Sequence, residues 1–524
     1  MPGSPSRLDS GLEVRLRNWF ERPYDDAISA ARTCYSPRVV FADEITDQQR
    51  RSIGPLTYSA GHHTVYQHAT FEFALSGLSR QVVWCFLHAF PFYNSEQQSQ
   101  RYVRLDEARA HVPGGLRGDA LAVYEQAILG AWEAYRELSR RLAPVTLEIL
   151  GELWRLKDRQ SKAFGRNVRR ESEKKAIETA RYVLPIACHT AMVYTVSGIV
   201  LHRLRRMAAA CDAPDEARAV VDAMIGEVEK RDPAFFREIG DPPLACEEVV
   251  ERAIPTDVAG GPSAAVAANA SDAATRFDAS LEGLRSKLVD HGARAPRVVA
   301  EAIRGVLSRP DLSDDDALEL ALDPRRNRYR LDTLNVSMHS PLMRTLDHAH
   351  YTFRKRLSHS ADSQDQRHRM VPGSRPLLSR SVPASVDVIE PELVAAEPGA
   401  HAVFREAVEA AFDARVRLLA LGVPPEHALY VLPNALTVRF EESGSLLHLL
   451  HKWTMRTCLN AQREIWEASM DEIAQVRAVH PELMRHVGPP CAVRNGLVSP
   501  RCTEGTHFCG IPVWRTFPAI ERRI

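Results

Sequence analysis

Two stretches of this 524-residue chain carry the residue types that hold a planar anion. The first opens with His88-Ala89-Phe90, runs through PFYNSEQQ and ends in Ser99-Gln100-Arg101-Tyr102. The second opens with Arg354-Lys355-Arg356, runs through LSHSADSQ and ends in Asp365-Gln366-Arg367-His368. In both, eight residues separate the tripeptide from the ending, so they read as two copies of one site loop. Such an internal repeat decides the architecture. A nucleoside monophosphate is a dianion on a flat base; binding it takes guanidinium forks for the phosphate and hydroxyl or amide groups for the base edges. Gln97, Ser99 and Arg101 can line one such loop. The copies have diverged in complementary ways. Phe90, Pro91, Phe92 and Tyr93 make the first tripeptide read as core filling, whereas the second keeps three cations. The second also has Asp365 where the first has Ser99, and a carboxylate there repels a phosphate.

These residues need elements to position them. In LLHLLHKWTMRTCLNAQREIW (Leu446 to Trp466), Arg456 and Asn460 are four apart and share a helix face. Lys452 and His448 precede them at the same spacing, beside an apolar stripe of Leu446, Leu449, Leu450 and Trp453. Helical periodicity also marks Leu121 to Leu142 and Val220 to Val228, while FEFALSGL alternates as a strand does. The fold class expected is α+β, with two tandem homologous domains over 12–245 and 276–488, antiparallel sheet and long helices in each. Between them, 246–275 contains an Ala/Gly/Pro/Ser-rich stretch (254–275) that reads as a linker. A Pro-punctuated segment from Pro372 to Pro398 reads as surface. The basic run Arg166 to Lys175 suits a solvated helix face, or a phosphate contact. The tail, 489–524, places Cys491, Cys502, His507 and Cys509 within nineteen residues, a set that permits a Cys₃His zinc site or a reduced, loop-packed group.

Bulk properties exclude other classes. Formal net charge is zero, so no overall field recruits nucleic acid or an anionic membrane. The longest apolar run, Val82 to Tyr93, is too short to span a bilayer, and the first residues lack the apolar core of a signal peptide. Nine scattered cysteines point to reduced thiols and a cytoplasmic protein. No GxGxxG or GxxxxGK[ST] loop is present, which argues against Rossmann and P-loop enzymes.

Several ordered motifs resemble the flavin-dependent thymidylate synthase (ThyX) family. Its signature loop has Arg-His-Arg, seven residues, Ser and then x-Arg-Tyr. His62-His63-Thr64-Val65-Tyr66-Gln67-His68 with ATFEFALSGLSR after it, and AARTCYS (Ala30 to Ser36), look like family segments. So do Ala180-Arg181-Tyr182-Val183-Leu184-Pro185, its echo Tyr430-Val431-Leu432-Pro433, and the helix of Arg456. Departures are Asn460 for a family His, Ala208 and Leu429 for family arginines, and the altered tripeptides. The resemblance implies reductive methylation of dUMP to dTMP, with FAD as cofactor and NADPH and methylenetetrahydrofolate as co-substrates. It implies substrate binding by Gln97, Ser99, Arg101 and Arg181, and flavin contacts from Thr64, Gln67, Arg354, Lys355, Arg356, His448 and Asn460. Arg354, Arg356 and Arg456 would act in catalysis. Family sites are assembled from several subunits of a homotetramer, so a fused pair is expected to dimerise into a pseudo-tetramer with a composite site from both halves. Alternatives are an inactive relative that binds flavin or nucleotide, or a flavoenzyme acting on another uracil-containing substrate.

Overall fold

A computed structural model describes residues 8–9, 11–154, 162–253 and 262–524. Its strands form two antiparallel sheets of identical connectivity. The first holds β1 (Glu13–Trp19), β2 (Thr70–Ser79), β3 (Asn94–Gln97) and β4 (His189–Ser197) in the order β1-β2-β4-β3. The second holds β5 (Ser286–His291), β6 (His350–Ser358), β7 (Gly373–Ser374) and β8 (Thr437–Ser445) in the order β5-β6-β8-β7. Alternation buries one face of each central strand: Phe71, Phe73 and Leu75 in β2, Tyr351, Phe353 and Leu357 in β6. Helices cover the sheets, so the class is α+β. Those used below are α1 (Gly118–Leu153), α2 (Lys162–Ala180), α3 (Pro262–Ser280), α4 (His359–Asp365), α5 (Pro398–Ala420), α6 (Leu446–Arg456) and α7 (Arg463–Val479). The long helices α1 and α5, one from each half, pack together.

The halves join through a reciprocal junction built on the two Leu-Pro elements. Ile186 N–H donates to Leu432 O at 2.8 Å, and Asn434 N–H donates to Leu184 O at 2.7 Å. Ala187 N–H donates to Tyr430 O at 3.1 Å, and Ala435 N–H to Tyr182 O at 2.8 Å. Side chains repeat the exchange. Ser79 Oγ caps the turn after β2 and donates to Glu216, which also accepts from the Tyr430 hydroxyl at 2.6 Å. Ser358 Oγ caps α4 and donates to Glu464, which accepts from the Tyr182 hydroxyl. Contacts that answer one another in this way are the mark of a two-fold relation, here within one chain.

That correspondence corrects the alignment of the two loops. His88 lies nine residues after Ser79, and Arg367 lies nine residues after Ser358. The counterpart of His88-Ala89-Phe90 is therefore Arg367-His368-Arg369. Arg354-Lys355-Arg356 is not a loop but the middle of β6, where period-two alternation sends Lys355 to one face and both arginines to the other. Two further expectations change. Of the stretch 254–275, residues 254–261 lie outside those described, and from Pro262 it is the helix α3, because its alanines favour helix more than its small size favours a linker. The segment after Pro372 is not all surface: Leu378, Val382, Ile389 and Val394 are buried.

Candidate active site

Four arginines from both halves converge where α6 ends. Arg101, on the loop after β3, donates Nε to Glu178 Oε1 at 2.6 Å and Nη2 to Asn460 O at 2.5 Å. Arg181, in the first Leu-Pro element, donates Nη2 to Gln462 Oε1 at 2.6 Å and Nε to Glu178 O at 3.2 Å. Arg456, in the last turn of α6, donates Nη2 to Gln364 O at 2.8 Å. Arg367 reaches back to the first half, donating Nη2 to Ser95 O in β3 at 2.6 Å. The loop is stiffened locally: Ser99 Oγ accepts from Arg101 N–H at 3.3 Å, and Gln97 Nε2 donates to Thr190 Oγ1 at 3.2 Å.

The cluster has more positive charge than partners. Burial pushes Arg456 down to about 10, and Arg101 and Arg367 push it the same way against the pull of Asp365. Burial also lowers Arg181, with Glu178 opposing and Arg101 adding to the effect. Glu178 shows the other side of the balance: burial would raise it, but Arg101, Lys175 and Arg181 hold it at about 2. Arg456 Nε, Gln364 Oε1, Asn434 Oδ1 and both amide atoms of Gln366 are buried without a hydrogen-bond partner. Buried guanidiniums held together with unused donors and acceptors beside them suit an anion that carries polar edges.

Beside this cluster lies a cleft of about 460 Å³, lined by Gln67, Tyr93, Asn94, Ser197, Arg203 and Arg369 among others. Its size is that of a ligand pocket. Arg369 stacks over Tyr93 at 5.0 Å and donates Nη2 to Asn94 Oδ1 at 3.3 Å. Between the two arginines, His368 faces His451 at 5.8 Å between ring centres. Its pKa is driven well below normal by burial and by Arg456 and Lys452, so it is a neutral imidazole. Arg367-His368-Arg369 thus bridges the cleft and the arginine cluster. In the sequence, Arg367 and His368 read as the end of a loop, which hides the tripeptide; the literal Arg-His-Arg is the signal that marks it.

The other expected residues divide. Gln97, Ser99, Arg101, Arg181 and Arg456 come together, and Gln67 lines the cleft, while Thr64 stands exposed on the same turn (His63–Gln67). Asn460 joins the cluster only through its carbonyl, since its amide donates to Glu504 at 3.0 Å and His507 O at 2.7 Å. Arg354 and Arg356 lie apart: Arg354 binds Glu441 at 2.8 Å and Ser280 at 2.9 Å, and Arg356 pairs with Asp278 at 3.4 Å. His448 sits 3.9 Å from Asp347, away from the cluster. Lys355 is fully buried, its Nζ 2.7 Å from Asp365 and 3.1 Å from both Glu442 and Glu472. Lys452 joins Asp365 at 2.8 Å and also contacts Glu442. Asp365 is therefore held in the core between two buried ammonium groups, while its Oδ1 has no hydrogen-bond partner. Burial explains the reassignment: a Lys at a core position of a strand is tolerated only when carboxylates surround it.

Comparison with known proteins matches this architecture. The family model described as thymidylate synthase complementing protein matches residues 15–234 and again 287–482, one match for each sheet. A flavin-dependent thymidylate synthase of Clostridium tetani is 30% identical over 236 residues, 44% of this chain and 87% of the relative. That of Geobacter sulfurreducens is 34% identical over 176 residues, 32% and 70%. That of Sulfolobus acidocaldarius is 28% identical over 250 residues, 44% and 92%. With two family matches that together span most of its length, the chain belongs to the thymidylate synthase complementing protein (ThyX) family and is an enzyme of the flavin-dependent thymidylate synthase class.

Proposed function

We propose that this chain converts dUMP to dTMP, with FAD as cofactor, methylenetetrahydrofolate as carbon donor and NADPH as reductant, at one composite site per chain. The observation that carries the reading is the convergence of Arg101 and Arg181 from the first half with Arg367 and Arg456 from the second. In this reading the arginines take the phosphate of dUMP, and the unpartnered amide oxygens of Gln364 and Asn434 meet the uracil edge as acceptors. Ser99 and Gln97 hold the loop that presents Arg101.

The residues of the cleft fit a flavin: Arg203 and Arg369 offer cations for a pyrophosphate, and Gln67, Asn94 and Ser197 offer hydrogen bonds. A bound flavin would supply the hydride chemistry that side chains cannot. The protein supplies position and charge: His368, held neutral, orders the ligand between two fixed arginines. This route needs no nucleophilic thiol.

We further propose that residues 12–245 and 276–488 act as the two ThyX-like domains and that two chains pair as a pseudo-tetramer. The test is mass-spectrometric detection of dTMP when the purified chain receives dUMP, FAD, NADPH and methylenetetrahydrofolate without air. Product from the wild type and none from Arg101→Ala is expected; wild-type protein that holds flavin yet makes no dTMP would refute the substrate assignment.

A further inference from the structure

The C-terminal stretch, 489–524, has little regular structure beyond a four-residue helix (Pro490–Val493) and two single turns. It still has its own small core, in which Cys491 and Val513 pack with Leu459 and Trp466 of the preceding segment. Four of the nine cysteines line a single small cavity there: Cys458, Cys491, Cys502 and Cys509, with Pro489 and Val513 between them. None of the four forms a disulfide. We propose that these four thiols are a structural tetrathiolate zinc site that fastens the C-terminal segment to the turn beside the arginine cluster.

The ligand set differs from the one expected from sequence. His507 is exposed, its carbonyl accepts from Asn460, and its ring lies 6.5 Å from that of Tyr102. Cys458 replaces it, 33 residues upstream of Cys491 and invisible to a search of the tail. The chemistry favours zinc. Four thiols from three chain segments supply the ligand type and number of a closed structural zinc site.

Among the described residues, the one group of three or more possible ligand atoms within 4.8 Å of one another is Glu319, Asp323 and His486. There Arg485 and Arg325 already neutralise the carboxylates. The four sulfurs must therefore close toward the edge of a zinc tetrahedron, about 3.8 Å for Zn–S bonds of about 2.3 Å. Cys502 and Cys509 lie outside any helix or strand, so no helix or sheet hydrogen bond opposes that closure. On binding, each thiol loses its proton, so one Zn²⁺ releases up to four protons to solvent and no redox change occurs.

The placement gives the site its purpose. Cys458 stands between Arg456 and Asn460, and Gln462 follows; these residues hold Gln364, Arg101 and Arg181 respectively. Arg522 adds a second tie from the tail, donating to Leu459 O at 3.2 Å and Ala461 O at 2.6 Å. A metal on Cys458 would set the angle of that turn as a positioning device. The test is zinc content of the purified full-length chain by plasma mass spectrometry. One zinc per chain is expected, retained by His507→Ala and lost in Cys458→Ser and Cys502→Ser. If those variants fail to fold, alkylation mapping of the native wild type decides: these four thiols should react only after a chelator is added. No zinc taken up by the reduced chain, iron in its place, disulfides among the four, or loss of zinc in His507→Ala would each overturn the assignment. This readout is independent of synthase activity.

Discussion

The two-fold relation creates two equivalent places, and only one is equipped. At the first stand Arg101, Arg181, Arg456, Asn460 and Gln462. Their counterparts at the second, counted from the shared strand pairings and Leu-Pro elements, are Ser379, Leu429, Ala208, Asp212 and Pro214. Asp212 there accepts from Leu378 N–H and the Ser379 hydroxyl, and Leu429 and Leu378 are wholly buried. The tripeptides differ likewise. His88 stacks on Tyr93 at 4.6 Å and bonds Ser95 Oγ at 2.9 Å, whereas Arg367-His368-Arg369 faces the cleft and the cluster. One place holds buried Leu429, Ala208 and Asp212 where the other holds a cluster of arginines, although Phe90 and Phe92, expected as core filling, stay exposed. The frame thus keeps its two-fold symmetry while the arginines stand at one of the two places alone.

The sharpest way to break this comparison is to disable each place in turn. Arg101→Ala or Arg456→Ala should lower turnover by about 10³-fold, the scale of losing a buried charge-stabilising donor. Ser379→Ala, at the second place, should stay within about twofold. Because Arg101 and Asn460 touch within one chain, mixing the two inactive variants should restore nothing, and recovery of activity would show that sites are shared between chains.

A second contrast separates Lys355 from the ligands. Lys355→Met should destabilise the chain by about 3–5 kcal/mol in urea unfolding, because three carboxylates lose a buried cation. Normal stability with lost flavin would return Lys355 to a cofactor role. Next, Arg367→Ala should cost about 10²-fold in turnover while Arg354→Ala leaves it near wild type. The reverse pattern would reinstate the strand tripeptide.

The smallest effect concerns pH. Glu178 has its folded pKa held at about 2, below its unfolded value, so its contribution to stability is complete above about 4.3 and is lost as pH falls toward 2. Glu178→Gln should flatten acid unfolding across that window. An unchanged acid profile would mean that Arg101 is held by Asn460 O alone.

The fold class was legible because several motifs recur in order, and the Leu-Pro echo at Tyr430 led straight to the junction. The paired loops mislead because their matching spacing runs against the local period: Tyr351, Phe353 and Leu357 alternate around Lys355 as in a strand. Arg101, Arg181 and Arg456 were readable one at a time. Their partners Glu178, Gln364 and Gln462 were not, since each is far along the chain from an arginine that it holds: Glu178 and Gln364 meet Arg101 and Arg456 by folding within one half, and Gln462 meets Arg181 by contact between the halves. Cys458 was hidden for the same reason.

The reciprocal junction also bears on what a subunit is here. Each half gives a tyrosine to the other's glutamate and two amides to the other's carbonyls, as separate partners in a complex would. In quaternary terms the molecule is a heterodimer written on one polypeptide. Covalent continuity sets the stoichiometry and keeps the effective concentration of each partner high, while the grip itself is non-covalent. A chain severed between 246 and 261 should remain assembled, and the same particle could be encoded as two unequal genes.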